Sequence, residues 1–178
     1  MSLSIHHLME ELNQFEERVP LDVLTKRLAA LEVNCDDVRD FIEFDDERYR
    51  RNLMYAGQGF QALILCWKNG QRSPIHDHEG STCGVRVLKG VMTETVFDRT
   101  HEGRLIAMRS HELREGGVCG SQDADIHQVS NLQPNGAELI TLHIYSPALE
   151  SMNTYSLTDG SVSRFKDPIY EFSHGAGI

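Results

Sequence analysis

At 178 residues, 40% of them apolar and 25% charged, the chain is the size of one domain and can bury a sizeable core without disulfides or a structural metal. Its formal net charge of -10, with the acids spread along the chain and no basic stripe, argues against nucleic acid or anionic membrane as a partner and for a small soluble substrate. The acidic N-terminus lacks the basic start and apolar run of an export signal, no later stretch approaches a membrane span, and Cys35, Cys66, Cys83 and Cys119 lack CxxC spacing, so a cytoplasmic protein with reduced thiols is expected.

Apolar residues recur at helical steps through about residue 43. Ile5, Leu8, Met9, Leu12 and Phe15 form one stripe, and Leu21, Leu24, Leu28 and Leu31 a second, which predicts two amphipathic helices. A third short helix is expected around Val38, Phe41 and Ile42, capped by Asp36 or Asp37. From Phe60 the chain breaks into short β-branched and aromatic runs: FQALILCW, GVRVL, VMTETVF, RLIAMRS, ELITLHIY, MNTYSL and SVSRF. Turn residues separate them at Asn69-Gly70, Gly90, Glu102-Gly103, Asn135-Gly136 and Asp159-Gly160. This texture predicts a mainly β fold, a sandwich or barrel of antiparallel strands preceded by helices. With no internal repeat and no long linker, one domain is expected over residues 1–178, its helical region 1–43 packing on a β-barrel over 44–178.

The most informative segment runs from Gly70 through His76-Asp-His78 and Cys83 to Gly90. In a strand His76 and His78 would project from one face, where two imidazoles can clasp one metal ion. His127 is the third candidate, and three neutral imidazoles leave coordination positions open, as a catalytic metal requires. Ligand type alone does not choose among zinc, copper, nickel and iron. His6, His7, His101, His111 and His174 have no metal-like neighbours, and solvent-facing roles are expected for them.

The glycines Gly70 and Gly90 stand about His76 and His78 at the offsets of the first cupin motif, and His127 with Asn131 matches the end of the second, although Gln122 and Ala124 replace its usual proline and glycine. The chain thus resembles the cupin superfamily, which implies a jelly-roll-like β-barrel. Where the first motif normally carries a glutamate ligand this chain has Cys83, and in this it resembles the thiol dioxygenase branch, cysteine dioxygenase in particular. Arg48-Tyr-Arg-Arg-Asn-Leu53, Leu65-Cys-Trp67 and Leu142-His-Ile-Tyr-Ser-Pro147 agree with that family in order and spacing, over about two-thirds of the chain.

The resemblance implies Fe(2+) on His76, His78 and His127, a substrate carboxylate on Arg51 with Tyr49 nearby, and a thioether joining Cys83 to Tyr145. The expected reaction takes L-cysteine and dioxygen to cysteine sulfinic acid, with the substrate's thiolate and amine on the iron. The residues are compatible with these roles. Arg51 offers a planar fork for a carboxylate. His143 and Tyr145 share a strand face with Leu139 and Thr141; if that face lines the barrel His143 can hold the Tyr145 hydroxyl toward the metal, and otherwise the two are an interior histidine and a core tyrosine. Trp67 is expected as core or pocket wall, Cys66 and Cys119 as small buried apolar residues, and Arg48 and Arg50 as surface ion pairs.

The familiar animal enzymes carry a histidine before the crosslinking cysteine and a second cysteine after the Ser-Pro segment, where this chain has Thr82 and Met152. Three alternatives stand beside cysteine oxidation: a dioxygenase of another thiol acid such as 3-mercaptopropionate, a different three-histidine cupin enzyme, and a non-enzymatic cupin that binds a small ligand. Relatives that prefer mercaptopropionate usually replace the carboxylate-binding arginine, so Arg51 favours cysteine. The sequence does not fix the oligomeric state.

Overall fold

The computed structural model describes residues 3–171. Among these, α1 (Ile5–Leu12), α2 (Leu21–Ala30) and a 3-10 helix (Cys35–Phe41) precede the strands β1 (Arg50–Ala56), β2 (Gln61–Trp67), β3 (Thr82–Lys89), β4 (Val91–Arg99), β5 (Leu105–Arg114), β6 (Val118–Gln122), β7 (Ile126–Ser130), β8 (Leu139–Ser146), β9 (Met152–Tyr155) and β10 (Val162–Phe165). Both stripes of the helical region are helices, shorter than the apolar spacing suggested, because at Phe15 and Leu31 the backbone N–H bonds back three residues, to Leu12 and Leu28, beyond the α-helical turns. The third helix is capped by Asn34, not by Asp36 or Asp37. Its side chain accepts from the Asp36 backbone N–H at 2.7 Å, and the Asp37 carboxylate accepts from the Asn34 backbone N–H at 2.8 Å, closing a capping box.

The strands form a five-stranded sheet in the order β1-β2-β8-β3-β6, a three-stranded sheet β5-β4-β7 and the pair β10-β9. All pairings between these strands are antiparallel. The segment about His76 bridges β7 at His127 and β9 at Thr154, joining the smaller sheets into one layer facing the larger sheet. The mainly β, jelly-roll-like fold behind N-terminal helices is as expected: two layers face each other, although among the described residues no continuous hydrogen-bonded ring of strands closes them into a barrel. Strands β1, β6 and β7 were not among the predicted runs. The first opens on charged residues, and the other two are five-residue strands with little apolar alternation.

The central strands β2 and β8 are buried on both faces, and β2 reads as a nearly continuous apolar run while β8 alternates apolar residues with Thr141, His143 and Tyr145. On the outer face Ala62, Ile64, Ile140, Leu142 and Ile144 pack with Leu8, Leu12, Leu24 and Leu28 of the helices. Each of these buried leucines contributes about 1.5–3 kcal/mol of apolar transfer. Glycines let α2 lie this close: a Cβ on Gly84 would come within 2.6 Å of Leu28, and one on Gly120 within 2.6 Å of Leu21. On the inner face Leu63, Leu65, Trp67, Val85 and Tyr145 pack with Met92 and Val129 of the smaller sheet. The candidate site lies at this inner boundary. Among the described residues no helix is long and apolar enough to cross a membrane.

Candidate metal centre

His76, His78 and His127 come together, each offering a ring nitrogen, with these atoms within 4.8 Å of one another and all three residues buried. His76 and His78 are not on a named strand, as expected, but in a short extended segment between β2 and β3. Backbone bonds fix that segment. His76 and His127 exchange both N–H···O contacts, at 2.9 and 3.0 Å, and the His78 N–H donates to the Asp123 carbonyl at 3.0 Å. Extended backbone keeps the alternation that the sequence implied, with both histidines on the cluster and Asp77 turned away. The Asp77 carboxylate accepts from the Tyr155 hydroxyl at 2.7 Å and from the Asn153 side chain at 2.9 Å, tying β9 to the ligand segment.

The outward nitrogens decide how the rings face the centre. Nδ1 of His76 lies 2.9 Å from the Pro74 carbonyl, and Nδ1 of His127 lies 2.7 Å from the Glu94 carboxylate. Both contacts call for a proton on Nδ1, which leaves Nε2 as a lone-pair donor. In His78, Nδ1 is buried with no hydrogen-bond partner, a polar atom that a metal ion would satisfy. Burial, reinforced by neighbouring His127, pushes the His76 imidazole down to about 3, and burial likewise holds His78 well below its ordinary range. His76 and His78 are thus neutral imidazoles, and with His127 beside them the three rings fit a divalent transition metal.

Glu94, on β4, was not singled out in the sequence. Its carboxylate is buried and accepts from His127 Nδ1 through one oxygen, while the other lies 3.2 Å from His111 Nε2. Burial pushes its carboxyl up, but His127, His111 and Cys119 outweigh that and hold it below the usual range. His111 is therefore not simply solvent-facing, since it leans inward from β5 onto this carboxylate while remaining 38% exposed. His174 lies outside the described residues.

A small buried pocket beside the cluster brings together Tyr49, Arg51, His76, His143, Tyr145 and Asp167. Arg51 is 2% exposed, and its Nη2 has no hydrogen-bond partner. Its other nitrogen, Nη1, donates to the Asp167 carbonyl at 3.2 Å. Tyr49 stacks on Trp67 at 4.2 Å between ring centroids, and its hydroxyl donates to the Asp167 carboxylate, which also pairs with Arg48. Asp167 carried no sequence signal, because it lies in an irregular stretch after the last strand. Arg50 pairs with Glu43 at 3.0 Å.

Along β8 the alternation holds, with Ile140, Leu142 and Ile144 toward the helices and Thr141, His143 and Tyr145 linked by hydrogen bonds on the other face. Indole N–H only donates, so Trp67 Nε1 donates to Thr141 Oγ1 at 3.0 Å. The Thr141 hydroxyl can then donate to His143 Nε2 at 3.0 Å, which puts the imidazole proton on Nδ1, 3.2 Å from the Tyr145 oxygen. The relay leaves the Tyr145 hydroxyl proton free for the pocket or for Cys83. Cys83 stands directly opposite Tyr145 in the β3–β8 pairing. Burial raises its thiol to about 12 and pushes the Tyr145 phenol well above its ordinary range.

Solved structures with this architecture include a protein from Thermus thermophilus, with a TM-score of 0.53 and 16% identity over 62% of this chain and 94% of that one. A double-stranded β-helix protein from Klebsiella pneumoniae also has a TM-score of 0.53, at 14% identity over 62% of this chain and 81% of that one. In sequence the chain is 32% identical to cysteine dioxygenase type 1 of Rattus norvegicus over 81% of this chain and 74% of the relative. It is 30% identical to the Homo sapiens protein of that name, over 85% and 86%. The family model for cysteine dioxygenase type I matches residues 2–158, so the segments about Arg51, the three histidines, Cys83 and Tyr145 all fall within the matched span. The chain belongs to the cysteine dioxygenase type I family.

Proposed function

We propose that the chain is an iron-dependent enzyme that converts L-cysteine and dioxygen to cysteine sulfinic acid. The observation that carries this reading is the juxtaposition of three buried imidazoles with Arg51, whose buried Nη2 has no partner and which lines the pocket beside them. A guanidinium in that state is a receptor for a carboxylate, and Arg51 and His76 line one pocket, so a short thiol acid bound there would border both. The reaction balances without further reagents: sulfur loses four electrons, dioxygen gains four, and both oxygen atoms end on sulfur as the thiol gives up its proton.

His76, His78 and His127 would hold the metal, and ferrous iron supplies the redox site at which thiol and dioxygen react. Arg51 orients the substrate through its carboxylate. Tyr145, held by His143, Thr141 and Trp67, presents a hydroxyl proton toward the substrate or oxygen. Trp67, Leu65 and Val129 keep the wall of the pocket apolar and limit water. Cys83, opposite Tyr145 in the β3–β8 pairing, would form a thioether with it, and that bond would fix the tyrosine ring.

The deciding experiment is anaerobic reconstitution with ferrous iron, then cysteine and air, with oxygen uptake and product mass measured together. Stoichiometric sulfinate is expected, with loss of iron binding and turnover in His76→Ala, His78→Ala and His127→Ala while the fold persists. Oxygen uptake that yields cystine in place of sulfinate, or a histidine variant with full iron content, would overturn the assignment.

A further inference from the structure

We propose that Asp167 is a specificity-determining residue: a carboxylate of the chain itself that serves as the resident counter-ion of Arg51 and sets how strongly the pocket draws a substrate carboxylate. The inference rests on the reading of Arg51 as the carboxylate receptor.

Asp167 is held in place by backbone. The Tyr170 N–H donates to the Arg51 carbonyl at 2.9 Å, and the Leu53 N–H donates to the Tyr170 carbonyl at 2.9 Å, so the stretch after β10 runs beside β1 as a strap. Tyr170 also lies under the Arg50 guanidinium, 4.2 Å from ring centroid to Cζ. The strap puts the Asp167 carbonyl on Arg51 Nη1 at 3.2 Å and its carboxylate 3.8 Å from the same nitrogen. That carboxylate also accepts from the Tyr49 hydroxyl and pairs with Arg48. It thereby occupies two groups, Tyr49 and one edge of Arg51, that would otherwise be free to hold the substrate's own carboxylate.

The charge count gives this arrangement its consequence. Arg51 and Asp167 are 2% and 1% exposed, so water screens their interaction little, and together they are neutral. Arg48 adds a positive charge, but it is 36% exposed and borders an open surface cleft that it shares with Tyr49 and Arg72. A substrate carboxylate on Nη2 must therefore share a buried guanidinium with a second carboxylate, and repulsion between the two weakens binding. A thiol acid without an ammonium group brings one more net negative charge than cysteine does, so Asp167 penalises it more.

Propionate serves as a thiol-free probe, and the fluorescence of Trp67, the chain's single tryptophan, which lines the pocket, reports its binding. Asp167→Asn is expected to tighten propionate binding about ten-fold. Asp167→Ser, which keeps an acceptor for Tyr49, is expected to do the same and serves if the asparagine variant folds poorly. Asp167→Glu, which keeps the charge, stays near the parent. In turnover, the ratio of kcat/KM for 3-mercaptopropionate to that for cysteine rises in Asp167→Asn, mainly through KM. Unchanged or weaker propionate binding in the asparagine and serine variants, or equal tightening by glutamate, would overturn the proposal. Arg51→Gln separates the two readings: if it leaves propionate binding intact, Arg51 is not the receptor, whereas if it abolishes binding while the Asp167 variants change nothing, only the role of Asp167 falls.

Discussion

The Glu94 carboxylate accepts a 2.7 Å hydrogen bond from Nδ1 of His127, across the pairing of β4 with β7. In that pairing His127 lies opposite Val96, two residues along from Glu94, so the two side chains rise on the same face of the sheet. The carboxylate fixes which nitrogen of His127 faces the cluster and makes that nitrogen a better donor. Glu94→Ala is expected to weaken metal affinity by about 10–100-fold, and Glu94→Gln, whose amide oxygen still accepts, by less. Anaerobic titration with cobalt or ferrous ion measures it directly, and an unchanged affinity in Glu94→Ala would show that His127 is oriented by its backbone pairing alone.

Arg51→Lys tests the receptor from the substrate's side. Lysine keeps the charge but replaces a planar fork with a point donor, removing on the order of 1–3 kcal/mol of charge-assisted binding. The Michaelis constant for cysteine should rise by well over a few-fold, with a smaller effect on turnover. An unchanged constant would place the substrate carboxylate elsewhere.

Gly84→Val probes how the helices are seated. The new side chain would meet Leu24 and Leu28 of α2, where a Cβ alone already comes within 2.7 and 2.6 Å. Overpacking of this kind costs about 1–3 kcal/mol, read as a lower midpoint in urea. Because the clash is on the outer face of the sheet, iron content should hold up better than stability. A midpoint equal to the parent's would mean that α2 yields freely.

These residues also show what a sequence can and cannot carry. His76, His78, Cys83 and His127 were legible because motif offsets are local, and His143 with Tyr145 because a strand alternates. β2 and β8 were visible as strands from their β-branched and apolar runs, whereas β6, with Cys-Gly-Ser at its centre, gave no strand signal. The HxH segment was misplaced onto a strand because extended backbone outside a ladder has the same side-chain alternation as a strand within one. Glu94 and Asp167 were invisible for a different reason. Each acts through a partner far along the chain, Glu94 on His127 and Asp167 on Tyr49 and Arg51, and an isolated acid in an acidic chain carries no mark of what it will face.

Cys83 and Tyr145 face one another across adjacent antiparallel strands, and both are buried beside the histidine cluster. Directly opposed residues have their Cβ atoms about 4.5–5.5 Å apart, which brings a thiol within reach of the edge of a tyrosine ring on the shared face. Joining them removes one hydrogen from sulfur and one from the ring carbon and forms a carbon–sulfur bond, with dioxygen as the acceptor of the two electrons. Burial keeps the Cys83 thiol protonated at ordinary pH, its range raised to about 12, so the bond should not form spontaneously on storage but should accumulate with iron, oxygen and substrate. Purified protein is therefore expected as a mixture, the crosslinked fraction growing during turnover, read as the loss of two hydrogens in intact mass and a joined Cys83–Tyr145 peptide pair. Cys83→Ala should abolish the pair yet retain iron and part of the activity, since the thioether would restrict Tyr145 without holding the metal. Free Cys83 and Tyr145 peptides alone after many turnovers would sink the crosslink and leave the three-histidine site standing.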